Sequence, residues 1–511
     1  MNTFKRKALF TAVAAGLGVA GTAEAVYLNP NSTGQVLVYP YYTVQQAGGN
    51  SWNTYLSVVN TTTRAKAVKV RVLEGKTSAE VLDFNLFLSP NDVWTAAIIP
   101  GDATATSAAR MITADNSCTN PVGNLPVALG GEPFRNYLYA TGGDALPGTG
   151  LDRTREGYVE IIEMGTLTGS WATAVTHNSS GVPANCAVVR GAVTTPSSIE
   201  APTGGLVGTG TLINVNNGQD AGYKADALEA WRTTAIYTDP GSIQPSLADA
   251  NPPVSVVVNA GGIEGATGSS TAITAYRSTF ATVGSVAAGA RAVASVYMHT
   301  NVINEYVLDT ASASLTDWVV TQPLKRVFVT NTAAAAPYSN VLTASGACEV
   351  ISFQYFNREE QSATASGADF SPLPPNAPAS SMCWESNVLS IRNGAAHMPS
   401  STSASTVLGS VNLTNVNVRQ DFQNGWGRLS FTGAGATTTG LVASATDRVD
   451  LSMGLLAVAA PATGAATYFG LPVTGFMVRT FRNGNLTCGT GTCQGNYGSL
   501  FEHSYLNTIT P

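Results

Sequence analysis

From Lys66 onward the chain alternates residue by residue, with Val68, Val70 and Val72 on one side and Lys69 and Arg71 on the other. A period of two marks a β-strand with one face against a core and one face in water. The pattern predicts that the valines are buried and that Lys69 and Arg71 face solvent. Three more runs between Gly34 and Ile99, QVLVYPYYTV, TYLSVVN and SAEVLDFNLFLSPNDVWTAAII, read the same way. In the last of them Phe84, Leu86 and Leu88 share a face, and Asp83, Asn85 and Phe87 share the other. Ser89-Pro90-Asn91-Asp92 supplies a turn before Val93 and Trp94.

Beyond residue 110 the pattern thins. GYVEIIEMGTL, Gly157 to Leu167, alternates as a strand, and GTLINVNNG reads as a strand ending at the turn signal Asn217-Gly218. ADALEAW, Ala225 to Trp231, is helix-compatible, as is Ala288–Met298. Alternation returns in DWVVTQPLKRVFVTN, CEVISFQYFNREE, CWESNVLSI, GWGRLSF and GLPVTGFMVRTF. The expected fold is mainly all-β. Two immunoglobulin-like β-sandwich regions, 26–110 and 318–511, flank a loop-rich insertion at 111–317 with short strands and helices. Residues 1–25 form a separate leader.

The blocks NTYLSVVNTT, AVKVRVLEGKTSAEVLDFNLFLSPNDVW, NEYVLD with TDWVVTQPLKR, and GLPVTGFMVRTF resemble a family of uncharacterised exported proteins of proteobacteria. The similar blocks run from about residue 35 to the C-terminus. The resemblance implies a secreted or surface protein without recognised chemistry, and it brings no catalytic residue with it.

The leader reading rests on Lys5, Arg6 and Lys7, then the apolar run Ala8 to Ala20, then the small-x-small site Ala23-Glu24-Ala25. That run is too short to span a membrane. A buried N-terminal helix and an uncleaved anchor fit the same residues less well. The chain carries a net charge of −6, and cleavage at Ala25 would leave it more acidic. No basic stripe remains, which argues against nucleic acid as a partner. Charged residues make up 11% of the chain, against roughly 25% in ordinary soluble domains. Such a surface is wetted by hydroxyls and amides more than by ions.

Six cysteines, Cys118, Cys186, Cys348, Cys383, Cys488 and Cys493, lie past the leader. Export and an even count favour disulfides, and pairing of neighbours gives Cys118–Cys186, Cys348–Cys383 and Cys488–Cys493. Zinc would call for CxxC spacing with histidines nearby, and neither is present.

Other chemistries fail on spacing. Gly75-Lys76-Thr77 ends like a phosphate-binding loop, but Val70 stands where the first glycine belongs, so a hairpin turn is expected. Gly208–Leu212 lacks the third glycine of a dinucleotide fingerprint. There is no Gly-x-Ser-x-Gly elbow and no His-Glu-x-x-His. His177, His299, His397 and His503 are scattered, and a hydrogen-bonded structural histidine is the expectation for each. Glu160 and Glu163, three apart in one strand, should point to opposite faces. Glu359-Glu360 reads as a solvated rim. No catalytic, cofactor-binding or metal residue is assigned. The Asn214–Asp220 loop offers oxygens at calcium-like spacing but lacks the closing glutamate, which leaves calcium as a weak candidate.

These readings converge on a non-enzymatic exported protein at the cell surface, associated with the outer membrane, in the periplasm or outside the cell. It would act by binding or self-assembly, with other surface proteins, matrix or itself as partner, and without a transmembrane span in the mature chain. The alternative is an extracellular hydrolase of polysaccharide type whose two carboxylates meet only in the fold.

Overall fold

A computed structural model describes residues 24–46, 51–123, 125–191, 197–259, 274–365, 370–371, 380–393, 404–431, 440–450, 464–482, 486–493 and 495–510. Most of the expected leader and His397 lie outside these residues. The described chain is mainly β-strand, arranged in several sheets whose pairings are antiparallel apart from Ser386–Arg392 beside Leu413–Asn417.

The valine stripe at Val68–Val72 finds its core between two large sheets. In the first, the spatial order is Tyr27–Leu28, Asp226–Glu229, Val36–Thr43, Glu156–Leu167, Lys66–Glu74, Glu80–Leu88 and Cys118–Asn120, with Ile199–Glu200 on the end of the long central strand. The second runs Gln219–Lys224, Leu206–Asn214, Trp52–Asn60, Val93–Pro100, Ala109–Ile112 and Glu132–Pro133. Val68, Val70, Val72, Phe84, Leu86 and Leu88 from the first sheet share one core with Trp52, Leu56, Val58, Trp94 and Ile98 from the second. The two sheets therefore form a sandwich. Strands from 156–167, 206–214 and 219–224 complete both sheets, so chain from beyond residue 110 is integral to this core.

Two local readings can be set beside their outcomes. Ala288–Val296 is helical, with all but its first residue buried. ADALEAW is not: Asp226–Glu229 is a strand paired with Val36–Val38, and Leu228 and Trp231 are fully buried. Seven residues are too few to hold a helix by themselves, and the ladder beside Val36 decides their conformation.

The C-terminal strands make a second pair of sheets. One runs Ser362–Thr364, Ser352–Asn357, Asn424–Ser430, Asn301–Val307 and Ser504–Leu506; the other runs Phe370–Ser371, Leu413–Asn417, Ser386–Arg392, Leu315–Thr321, Thr474–Phe481 and Tyr497–Glu502. Trp318, Leu389 and Met477 meet Phe353, Tyr355 and Leu429 between them. The halves are also joined to each other. Val319, Val388, Phe476 and Val478 enter the first core, while Val36, Val38 and Tyr158 enter the second.

All six cysteines are paired, as Cys118–Cys186, Cys348–Cys383 and Cys488–Cys493. Gly75-Lys76-Thr77 turns a hairpin between Lys66–Glu74 and Glu80–Leu88. The turn closes on the Glu74 carboxylate, which accepts from the backbone N–H of Lys76, Thr77 and Ala79 and from the Arg153 guanidinium at 2.7 Å. Burial pushes this carboxyl up, but Arg153 and the amides outweigh it and hold it below the usual range.

Candidate functional site

The first sheet lies between two cores, and this removes the solvent face expected for Lys69 and Arg71. Lys69 is fully buried and Arg71 is 6% exposed. Residues 231–250 cover this side of the sheet. Gly241 N–H donates to Asp83 at 2.9 Å, Asn85 donates to the Thr238 carbonyl at 2.9 Å, and Lys69 donates to the Asp239 carbonyl at 3.2 Å. An ion taken out of water needs a partner, and each cation here has one from a neighbouring strand. Lys69 Nζ lies 2.6 Å from Asp83. Arg71 reaches Glu80 through Nε at 2.7 Å and Glu160 through Nη1 at 2.5 Å. On the other face, Lys66 meets Glu163 at 2.8 Å, and that carboxylate also accepts from the N–H groups of Thr203 and Gly204. Glu160 stands opposite Arg71 and Glu163 opposite Val68, so the two glutamates point to opposite faces.

Glu80 and Glu160 are the carboxylates from distant segments that the fold brings to one cation. Beside them, Arg71, Tyr158, Leu324 and Arg326 help line a cavity of about 200 Å³. Burial raises both carboxyls, with Arg71 opposing it. Burial also pulls the Arg71 guanidinium down, but Glu160 and Glu80 together drive it above its ordinary value. Two carboxylates held on one guanidinium are paired with that cation rather than facing each other across a substrate. The arrangement does the work of a buried ionic tie.

The second sheet has the reverse character. Outward positions, read across the register, form rows Val207–Val59–Val93, Thr209–Ser57–Thr95 and Thr211–Tyr55–Ala97. Over these three strands the rows hold no charged residue; Lys224 continues the Thr209 row on the next strand. Tyr55 is 49% and Val93 50% exposed, and the Ser57 and Thr209 hydroxyls bond to each other at 2.7 Å. Asp220, Lys224 and Arg110 sit only at the margins. An open groove of about 740 Å³ adjoins the face, where Thr209, Thr211 and Lys224 oppose Phe501 and Glu502. This flat, neutral surface is the candidate functional site. Its sequence signal was present in TYLSVVN, where Tyr55, Ser57 and Val59 alternate without a charge.

Most edge strands among the described residues are two or three residues long, such as Tyr27–Leu28, Cys118–Asn120 and Glu132–Pro133. Of the four six-residue edges, Val254–Asn259 and Ala445–Asp450 flank a three-stranded sheet, while Gln219–Lys224 and Tyr497–Glu502 cover one another: Gln219 donates to the Tyr497 carbonyl, and a Cβ on Gly498 would lie 2.8 Å from the Asp220 carbonyl. Covered or short edges do not template strand addition.

The scattered histidines stay apart. His299 is buried against Tyr505, with ring centroids 4.1 Å apart, and its Nδ1 meets the Asn507 side chain. His503 bonds the Val319 carbonyl and Asn304. Burial lowers both imidazoles to about 4, which keeps them neutral at neutral pH. His177 sits 2.7 Å from the Ser89 hydroxyl. Glu359 and Glu360 are exposed in a turn. In the Asn214–Asp220 loop, Asn214 Oδ1 accepts from the N–H groups of Ser51 and Asn217, so this oxygen serves the hairpin. Among the described residues no three His, Cys, Asp or Glu side chains are grouped to hold a metal, and no helix is long and apolar enough to cross a membrane. Compared with family models, with characterised proteins and with solved structures, the chain matches none.

Proposed function

We propose that this protein is exported and acts without catalysis, binding or assembling at the cell surface through the uncharged outer face of the second sheet. Its two sandwich-like halves serve as immunoglobulin-like scaffolds in this reading. The observation that carries it is the pair of rows Thr209–Ser57–Thr95 and Val207–Val59–Val93, partly to fully exposed and without a charge on these three strands. Three disulfides suit an oxidising compartment. The resemblance to exported proteobacterial proteins points the same way. Partners are other surface proteins, matrix or a second copy. The hydrolase alternative loses support because Glu80 and Glu160 are both tied to Arg71.

Sedimentation of the purified chain tests this reading. Association should grow with concentration and change little with salt, because few charges are involved. The double variant Tyr55→Lys, Val93→Lys should abolish it while leaving the melt unchanged. A strict monomer that hydrolyses a glycan, and loses that turnover on removal of one carboxylate, would overturn the proposal.

A further inference from the structure

The five-stranded sheet of the C-terminal half carries a second feature with a use beyond packing. In Asn424–Ser430 the two glycines serve the buried face: a Cβ on Gly425 would collide with the Phe356 carbonyl, and one on Gly427 with the Phe353 ring. Trp426 between them points the other way, toward solvent, and is only partly buried. It stands opposite Phe356 in the register, and the two rings stack with centroids 4.1 Å apart. Arg428 lies 5.7 Å from the indole, and its Nε has no hydrogen-bond partner. A cross-strand aromatic pair does stabilise a sheet. A tryptophan left partly in water on a stacked ring also makes a ligand platform.

Just past this pair, Asn424 begins the Trp426 strand and Arg358 lies in the turn that follows Asn357, the last residue of the Phe356 strand. They open a pocket of about 240 Å³ lined also by Glu359, Gln420, Asp421 and Gln423. Asn424 lines the pocket and lies two residues from Trp426 in one strand, roughly 7 Å away, which places the ring stack beside the pocket. The charges balance locally: Arg419 grips Asp421 with two bonds, at 3.0 and 2.7 Å, and one cation, Arg358, and one further carboxylate, Glu359, line the same pocket. The side-chain amides of Gln420, Gln423 and Asn424 make no hydrogen bond among the described residues. Each carries donors and an acceptor in one plane, which suits vicinal hydroxyls.

We propose that the Phe356–Trp426 stack and the adjoining pocket bind an uncharged oligosaccharide. The C–H face of one sugar ring would pack on the aromatic ridge, and hydroxyls of the next would bond the amides and Arg358. A charged chain would find no compensating field here, and a metal ion would meet Arg358. The site lies on a different sheet from the neutral face proposed above, so either reading can fail without the other.

Calorimetric titration of the full chain with cello-, laminari-, manno- and chito-hexaose tests the proposal. At least one should bind, and Trp426→Ala and Asn424→Ala should each weaken it by at least ~tenfold. Gln423→Ala, on an exposed turn, serves as a second pocket variant should Trp426→Ala fail to fold, and Tyr55→Lys should leave the titration unchanged. Binding of none of the four, binding indifferent to the Trp426 and pocket variants, or binding of calcium alone would overturn it.

Discussion

The two sheets of the first sandwich invert the usual relation between charge and exposure. The sheet that hides both faces holds Lys66, Lys69, Arg71, Asp83, Glu160 and Glu163, and the sheet that shows one face holds threonine, serine, tyrosine and valine there. Each alternates with a period of two. The period reports which residues share a face; it does not report what covers that face. Burial of an ion is tolerated only when a partner arrives with it, and the partners here come from strands far along the chain, Glu160 and Glu163 above all.

The largest expected effect follows from breaking one of those ties. Arg71→Ala would leave Glu80 and Glu160 without their cation, a loss of about 3–5 kcal/mol for an uncompensated buried charge. Urea unfolding of this variant beside Val93→Ala should show the contrast, since the exposed position should cost far less. Equal midpoints would erase the distinction between the sheets.

The disulfides sharpen the comparison next. Cys118–Cys186 fastens the edge of the buried sheet and closes 68 residues, while Cys488–Cys493 closes 5. Chain-entropy estimates give about 4 and about 2 kcal/mol, so serine pairs at the first should lower the midpoint about twice as much.

Acidity probes the seam between the halves. Burial pushes Asp226 up to about 7, partly offset by the Thr474 hydroxyl that donates to it at 2.5 Å. Burial likewise brings Glu229 to about 7. The folded chain then holds protons that the unfolded chain has released between about pH 4 and pH 7. Stability from these groups is full below that window and is lost as pH rises through it. Asp226→Asn should flatten its share, so melting temperatures of variant and parent should diverge in the variant's favour from about pH 5 to about pH 8.

The smallest effect belongs to the neutral face. Thr95→Lys should change stability by no more than about 0.5 kcal/mol in a melt, yet weaken association in sedimentation.

Much of this was legible in the residues. Val68, Val70 and Val72, Phe84, Leu86 and Leu88, the Glu74–Thr77 hairpin and all three cysteine pairings follow from local spacing. The cover over Lys69 and Arg71 was not, because residues 231–250 have no period of their own and reach the sheet through backbone carbonyls. Asp226–Glu229 departs from its helix-compatible sequence for a related reason: its partner strand at Val36 lies nearly two hundred residues earlier. The neutral face could be read as alternation, but its openness depends on which sheet lacks a third layer, a property of the whole fold.

Lysine acetylation of the native chain, read by mass spectrometry, tests that inversion most directly. Lys66 and Lys69 have fully buried side chains, whereas Lys224 is exposed at the margin of the neutral sheet. Lys224 should be modified promptly and the other two only after denaturation. Modification of Lys69 at the rate of Lys224 would contradict the buried ionic layer.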